Sequence, residues 1–487
     1  MLSVDGVVHL SASDLVGHLN CHYLTKLDLA VARGELDKPP RWDPVLELLA
    51  ERGALHEQSY LDHLELTGLS ITRVNGIGVD ANAVRETLDA MRTGAPIIAQ
   101  GALQSGQWGG RTDVLRRVEK PSELGAWSYE VIDTKLARET KGNTVLQICL
   151  YSALLAEAQK LTPEFAYVVT PGSDFKPQNF RYFDYAAYYR RVRHSLEQAV
   201  ENGVREDLYP EPKPHCEICR WRSSCEAKWR QDDHLTLVAG ISKSQIGELS
   251  RHDATTIAAL AAVPLPLPWK PERGTVQSLE RVREQARLQV ESRASGRLLY
   301  ETLPPLPGFG LACLPSPSDG DIFLDFEGDP FVDEGGLEFL FAYAFKDAAG
   351  AETYRSDWAL SRADEKAAFE RFVDFVIERL GTYPDLHIYH YAPYEPAALK
   401  RLMGRCATRQ NELDKMLRAG LFVDLYAIVR HAIRAGVESY SIKRLEPLYV
   451  FERTVGLPDA GGVMARVQAS LELGDYDSIG PDERMRR

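Results

Sequence analysis

The chain has 487 residues, 44% of them hydrophobic, seven cysteines and a formal net charge of −13. This length excludes a single small core and suits two or three soluble globular domains. The acidic total excludes bulk attraction to a polyanion, so any contact with nucleic acid requires a local basic patch. No apolar run is long enough to span a bilayer, and MLSVDGVVHLSASD lacks the basic flank and apolar core of a signal peptide, so a cytoplasmic chain without membrane contact is expected.

Ser11 or Ser13 caps a predicted helix from Asp14 to about Val31, with Leu15, Leu19, Tyr23, Leu27 and Ala30 on its apolar side and Cys21 inside it. A second helix covers about Pro44 to Leu66 and carries His56 and Glu57 after Arg52-Gly53. Ser70 to Val74 reads as a strand, Asp80 to Arg92 as a helix and Pro96 to Leu103 as a strand. Trp108 to Val118 and Trp127 to Leu136 are rich in β-branched and aromatic residues, and Pro121, Ser122 and Gly125 between them predict a hairpin.

Alternation along the second hairpin strand puts Val131, Asp133 and Lys135 on one face and Ile132 and Thr134 on the other, with Asp113 within reach on the partner strand. Two neighbouring carboxylates repel unless a cation sits between them; a divalent ion held by few protein oxygens and several waters is the usual solution. A lysine beside that ion orients or helps deprotonate an attacking water and steadies charge on a phosphate. The helix predicted from Gly142 to Lys160 carries Gln147 and Tyr151 at i, i+4 on one face. Strands at Phe165–Thr170 and Asn179–Asp184 and a helix from Tyr185 to Asn202 complete a mixed sheet with helices around it. Arg111, Arg116, Arg117, Lys135, Arg138 and Lys141 are the candidate basic patch, against the plainer reading of a solvated charged surface.

The ordered set Asp113, Asp133-x-Lys135, Gln147-x-x-x-Tyr151 resembles the RecB branch of the PD-(D/E)xK nucleases. The resemblance implies a restriction-endonuclease-like fold, Mg²⁺ or Mn²⁺ bound by His56, Asp113 and Asp133, Lys135 assisting water attack, and Gln147 and Tyr151 positioning DNA.

Cys216-x2-Cys219-x5-Cys225 places three thiols in one short stretch, which in a cytosolic protein reads as a metal centre, and Cys21 would complete four thiolates. The arrangement resembles the iron–sulfur staple of AddB-type and CRISPR-adaptation RecB-like nucleases and implies a [4Fe-4S] cluster, with four-thiolate Zn²⁺ as the alternative. Cys149, Cys313 and Cys406 have no such grouping and read as buried thiols.

From Asp232 to Ser318 two short helices around Arg251-His252-Asp253 faintly echo a helix-hairpin-helix, against a plain helical connector. Extended Pro-rich linkers and a charged helix from Thr275 to Ser295 follow. Asp321-Ile-Phe-Leu-Asp325-Phe-Glu327 then opens a new domain, with Asp325 and Glu327 on one strand face and further acids at Glu395 and Asp424. This resembles the ribonuclease H-like fold of DEDD exonucleases, in which such acids hold two metal ions. Glu395 replaces the usual aspartate, and the closing Gly474-Asp-Tyr-Asp-Ser-Ile-Gly-Pro is a poor helix for the last acid, so the domain reads as truncated or diverged.

The expected architecture is α/β: a PD-(D/E)xK mixed-sheet domain with its four-cysteine cluster over 1–231, a helical connector over 232–318, and a ribonuclease H-like α/β domain over 319–487. The expected function is a metal-dependent DNase acting on single strands or ends in repair, recombination or nucleic-acid processing, with RNA left open as substrate. The order of parts resembles RecB-like nucleases often joined to a superfamily I helicase; no Gly-x-x-x-x-Gly-Lys-Ser/Thr loop occurs here, so a helicase would be a separate chain. The alternatives are a non-catalytic DNA-binding or partner-docking scaffold, and an exonuclease whose chemistry lies in the C-terminal domain.

Overall fold

The computed structural model describes all residues except 5, 41–43, 138–139, 172, 331, 333–335, 450, 452–463, 465–466, 469 and 472–487. Chain contacts divide it into two compact units, Met1–Cys225 and Glu226–Arg487. Arg138 and the closing Gly474 to Pro481 stretch lie outside the described residues.

In the first unit the strands are β1 (Leu2–Val4), β2 (Val7–His9), β3 (Ile71–Arg73), β4 (Ile97–Ser105), β5 (Trp108–Val118), β6 (Ser128–Thr134), β7 (Phe165–Val169) and β8 (Gln178–Arg181). The helices are α1 (Ala12–Asn20), α2 (His22–Ala32), α3 (Pro44–Leu66), α4 (Ala81–Arg92), α5 (Gly142–Gln159) and α6 (Tyr182–Asn202), and α7 (Arg222–Gln231) runs across the division. Six strands form one mixed sheet in the order β3-β4-β5-β6-β7-β8, with β3/β4 and β6/β7 parallel and the other pairs antiparallel.

Every residue of β6 is buried, as in a central strand covered on both faces. Val131 joins the core cluster that contains Leu146, Ile148 and Leu150 of α5, whereas Ile132 joins the one that contains Tyr60, Leu61 and Leu64 of α3. Each such side chain contributes about 1.5–3 kcal/mol of burial. The opposed clusters hold β6 in its register, because a one-residue slip would exchange the two sets.

The expected helix from Asp14 to Val31 is two helices. Cys21 lies in extended backbone (φ −155°, ψ 108°) and serves as C-cap of α1 and N-cap of α2. Its Sγ accepts from the Leu24 N–H at 3.4 Å, and Asn20 Nδ2 donates to the Val16 carbonyl, so side chains satisfy the backbone groups that end one helix and begin the next.

The second unit contains α8 (Lys243–Ser250), α9 (Ile257–Ala262), α10 (Val276–Ser295), β9 (Tyr300–Thr302), β10 (Ile322–Asp329), β11 (Leu337–Lys346), β12 (Glu352–Trp358), α11 (Arg362–Thr382), β13 (Ile388–His390), α12 (Tyr394–Cys406), α13 (Gln410–Arg418), β14 (Phe422–Asp424), α14 (Leu425–Ala432), β15 (Ile433–Ala435) and α15 (Ile442–Leu445). Its main sheet has the order β12-β11-β10-β13-β14: three antiparallel strands, then two parallel to β10. Phe369, Phe372, Val373 and Val376 of α11 share a buried cluster with Ile322, Leu324 and Phe326 of β10. The segment read as a connector packs within this unit. Its β9 pairs with β15, and Gln285 of α10 donates to the Ala435 carbonyl at 2.7 Å.

Candidate active site

Val114 on β5 faces Ile132 on β6, and continuing that register brings Asp113 opposite Asp133. Asp113 Oδ2 accepts from the Thr134 N–H at 2.7 Å and the Thr134 hydroxyl at 2.8 Å. Asp133 is fully buried; Lys135 Nζ lies 2.6 Å from its Oδ2, and Gln147 Nε2 donates to its Oδ1 at 3.2 Å. The same Gln147 amide donates to the Tyr151 hydroxyl at 3.1 Å. The i, i+4 pair on α5 and the two hairpin strands therefore meet at one point. Tyr151 sits there because Gly110 of β5 leaves room: a Cβ at residue 110 would lie 2.5 Å from Tyr151 Cε1.

The Lys135 ammonium is therefore the partner of one Asp133 oxygen and the Gln147 amide of the other. Burial, followed by the Asp113 carboxylate, pushes Asp133 up to about 7, with Lys135 opposing. Burial and the charge of Asp133 also hold the Tyr151 phenol above its ordinary range.

The structure adds Glu57. Burial and the charge of Asp113 raise its carboxyl, against a 2.5 Å hydrogen bond from Gln100 Nε2, and it acts in turn on Asp133. Gln100 takes a left-handed φ of 58° and falls out of the β4 ladder between Ala99 and Gly101. A non-glycine residue there is strained, and such strain gathers at functional sites. His56, the neighbour of Glu57, has Nε2 3.3 Å from the Val169 carbonyl and a ring stacked with Phe175. Among the described residues no group of three or more His, Cys, Asp or Glu side chains is placed to hold a metal ion. His56, Asp113 and Asp133 thus do not form a three-ligand set.

The expected basic patch is largely spent on structure. Arg111 donates to Gln100 Oε1 and to the carbonyls of Val74, Asn75 and Gly78; Arg116 lies over Tyr167 and pairs with Glu130; Arg117 holds the Gly94 carbonyl and stacks on Trp127. Lys135 is committed to Asp133.

All seven cysteines are free of disulfides. The Cys219 thiol is raised by burial and, more weakly, by Cys216 and Cys21, which places these three near one another across most of the unit's sequence. They too fall outside any metal-holding group. Of the thiols expected to be buried, Cys149 is, whereas Cys406 is half-buried and Cys313 exposed.

In the second unit, Glu395 at the start of α12 is buried, pushed up to about 7 by burial and by the charges of Asp325 and Asp424. Among the described residues its Oε2 has no hydrogen-bond donor, and His390 Nδ1 lies 3.6 Å away. Asp424 Oδ1 accepts from the N–H groups of Ala392, Tyr426 and Ala427. Asp325, Glu395 and Asp424 therefore gather at the carboxyl ends of the parallel strands, where α/β sheets bind their ligands. Glu327 shares the strand face of Asp325, just before a bulge at Glu327/Gly328.

A family model for the PD-(D/E)XK nuclease superfamily matches residues 47–226, and one for the RNase H superfamily matches residues 322–467. A comparison with curated proteins gave no match. No helix of the described residues is long and apolar enough to cross a membrane. Sheet order, acid placement and both matches agree on a chain of mixed α/β architecture with a PD-(D/E)XK nuclease superfamily domain followed by an RNase H superfamily domain.

Proposed function

We propose that the N-terminal unit is a Mg²⁺- or Mn²⁺-dependent phosphodiesterase that cuts DNA, on single strands or at ends. The observation that carries this reading is the fully buried Asp133 carboxylate, set beside Asp113, paired with Lys135 and bonded by Gln147. Asp113 and Asp133 offer two hard carboxylate donors, which suit a divalent ion that keeps several of its waters. When bound, such an ion supplies Lewis acidity and a more acidic water. Lys135 sits beside the carboxylate, where charge develops on a phosphate, and Gln147 fixes Asp133 while its second bond holds Tyr151. His56 is retained as a ligand only if its ring leaves the Val169 carbonyl.

The test uses a labelled single strand with Mg²⁺ or Mn²⁺. Lys135→Ala is expected to lower cleavage about 10²–10³-fold, and Asp325→Ala to leave it within about threefold of wild type. The opposite pattern favours a second reading, in which Asp325, Glu327, Glu395 and Asp424 do the cutting; the buried, donor-free Glu395 oxygen supports it. Equal cleavage by all proteins removes the nuclease assignment from both sites, and binding without turnover would make the chain a DNA-binding scaffold.

Cys21, Cys216, Cys219 and Cys225 are proposed to hold a [4Fe-4S] cluster that closes the domain on itself, supported by the proximity of Cys219 to Cys216 and Cys21. Anaerobically purified protein is then expected to be brown, with charge-transfer absorption in the visible. A colourless protein with stoichiometric zinc would assign four-thiolate zinc instead. A role in repair or recombination beside a separate helicase fits this chemistry, and a pull-down with a helicase chain tests it.

A further inference from the structure

Beside the site lies a cleft of about 390 Å³ walled by three stretches far apart in sequence: Ala12 to Leu24 with Asp28, the first turns of α5, and His215 to Arg220. Its size falls within the roughly 300–1,000 Å³ usual for small-ligand pockets. Gln147 lines it, and the same amide donates to Asp133, so cleft and carboxylates share a wall.

The lining is mixed in chemistry. Val16, Leu24 and Ile218 are apolar, whereas Ser13, Asn143, Thr144 and Arg220 are polar, and none of these four side chains has a hydrogen-bond or ion-pair partner among the described residues. Thr144 is the informative one. The residue is only 8% exposed, and it lines the cleft. The 18-residue α5 also begins at Lys141 with no side-chain cap, which leaves its positive dipole end available to an anion. Asp28, the one acid of the wall, is occupied: its Oδ1 accepts from Trp221 Nε1 at 3.0 Å.

We propose that this cleft seats the nucleotide adjoining the scissile phosphate, with its base against Val16, Leu24 and Ile218 and its phosphate on Arg220, Thr144 and the start of α5. The inference rests on the nuclease reading of the Asp133 site and names the contact by which that site grips its strand. Apolar side chains suit any base and a cationic one any phosphate, so the grip tolerates sequence.

The test measures binding and cutting separately on the full chain. Binding of a 5′-labelled single-stranded DNA oligonucleotide is followed in EDTA, and cleavage in Mg²⁺ or Mn²⁺. Arg220→Ala and the cleft-filling Val16→Trp are expected to weaken binding about tenfold or more, with the loss of cleavage appearing in KM. Thr144→Val is expected to weaken binding severalfold, and Thr144→Ser to restore it. Asp133→Asn is expected to bind as wild type and not to cut. Wild-type binding by both Arg220→Ala and Val16→Trp would overturn the proposal. Should either variant misfold by circular dichroism, the Thr144 pair decides: equal binding by Val and Ser overturns it. If wild type binds but never cuts and Arg220→Ala loses binding, the cleft stands and the nuclease reading falls.

Discussion

Asp133→Asn is expected to abolish metal-dependent cleavage, by 10²–10³-fold or more, and at the same time to make the metal-free protein harder to unfold above neutral pH. Both follow from one fact: the carboxyl is fully buried beside Asp113 and titrates near 7 rather than at the usual 3.8. A raised acid binds its proton more tightly folded than unfolded. Between about pH 4 and 7 the unfolded chain has lost a proton that the folded one retains, so stability falls as pH rises through that window and levels off above it. Asparagine removes this decline, worth on the order of 2–4 kcal/mol at pH 8 for so buried a group. Calorimetric melts of both proteins in EDTA from pH 5 to 8 check the prediction. Parallel pH dependences would mean that Asp133 does not carry the destabilising charge. In Mg²⁺ an ion favours the carboxylate and moves its titration below the metal-free position, so wild-type cleavage should rise with pH by up to about tenfold per unit and flatten below pH 7.

Gly110→Ala should damage the site from the opposite side of the sheet pair. The added Cβ would meet Tyr151 Cε1 at 2.5 Å and Cδ1 at 2.9 Å, with Leu154 behind it at 3.7 Å, so the ring must move. Overpacking of this kind costs about 1–3 kcal/mol. Moving the ring also breaks the hydroxyl contact with Gln147, the residue that bonds Asp133. Cleavage is expected to fall about tenfold, roughly the worth of one hydrogen bond. Combining Gly110→Ala with Tyr151→Leu separates the effects, because the smaller side chain relieves the clash without restoring the hydroxyl. The double variant should regain most of the melting temperature and none of the activity. A double variant as unstable as Gly110→Ala would show that Tyr151 is not what the glycine accommodates.

The residues legible in advance were those whose relations are local. Asp133 and Lys135 share a strand face because side chains alternate, Gln147 and Tyr151 share a helix face because the α-helix repeats every 3.6 residues, and Asp325 and Glu327 pair for the same reason as the first two. The less legible ones depend on partners distant in the chain. Glu57 turns to the acids because Gln100, 43 residues on, leaves its ladder to bond it. Arg111, Arg116 and Arg117 looked like a phosphate-binding cluster, yet carbonyls, rings and Glu130 take them up. Helical periodicity runs through Cys21 unbroken, and only the side-chain caps around it divide the helix.

By itself, then, the sequence determined most of the order of elements, the mixed sheet, the second α/β domain and the strand faces shared by Asp133 with Lys135 and by Asp325 with Glu327, since apolar alternation and helical spacing act between neighbours. Tertiary structure alone decided which charges remain available, that Asp133 is buried enough to hold its proton to neutral pH, and that a cleft of mixed polar and apolar lining opens beside Gln147. The physical reason is competition: a charged or polar side chain bonds the best partner within reach, and what is within reach is set by the packing of segments far apart along the chain.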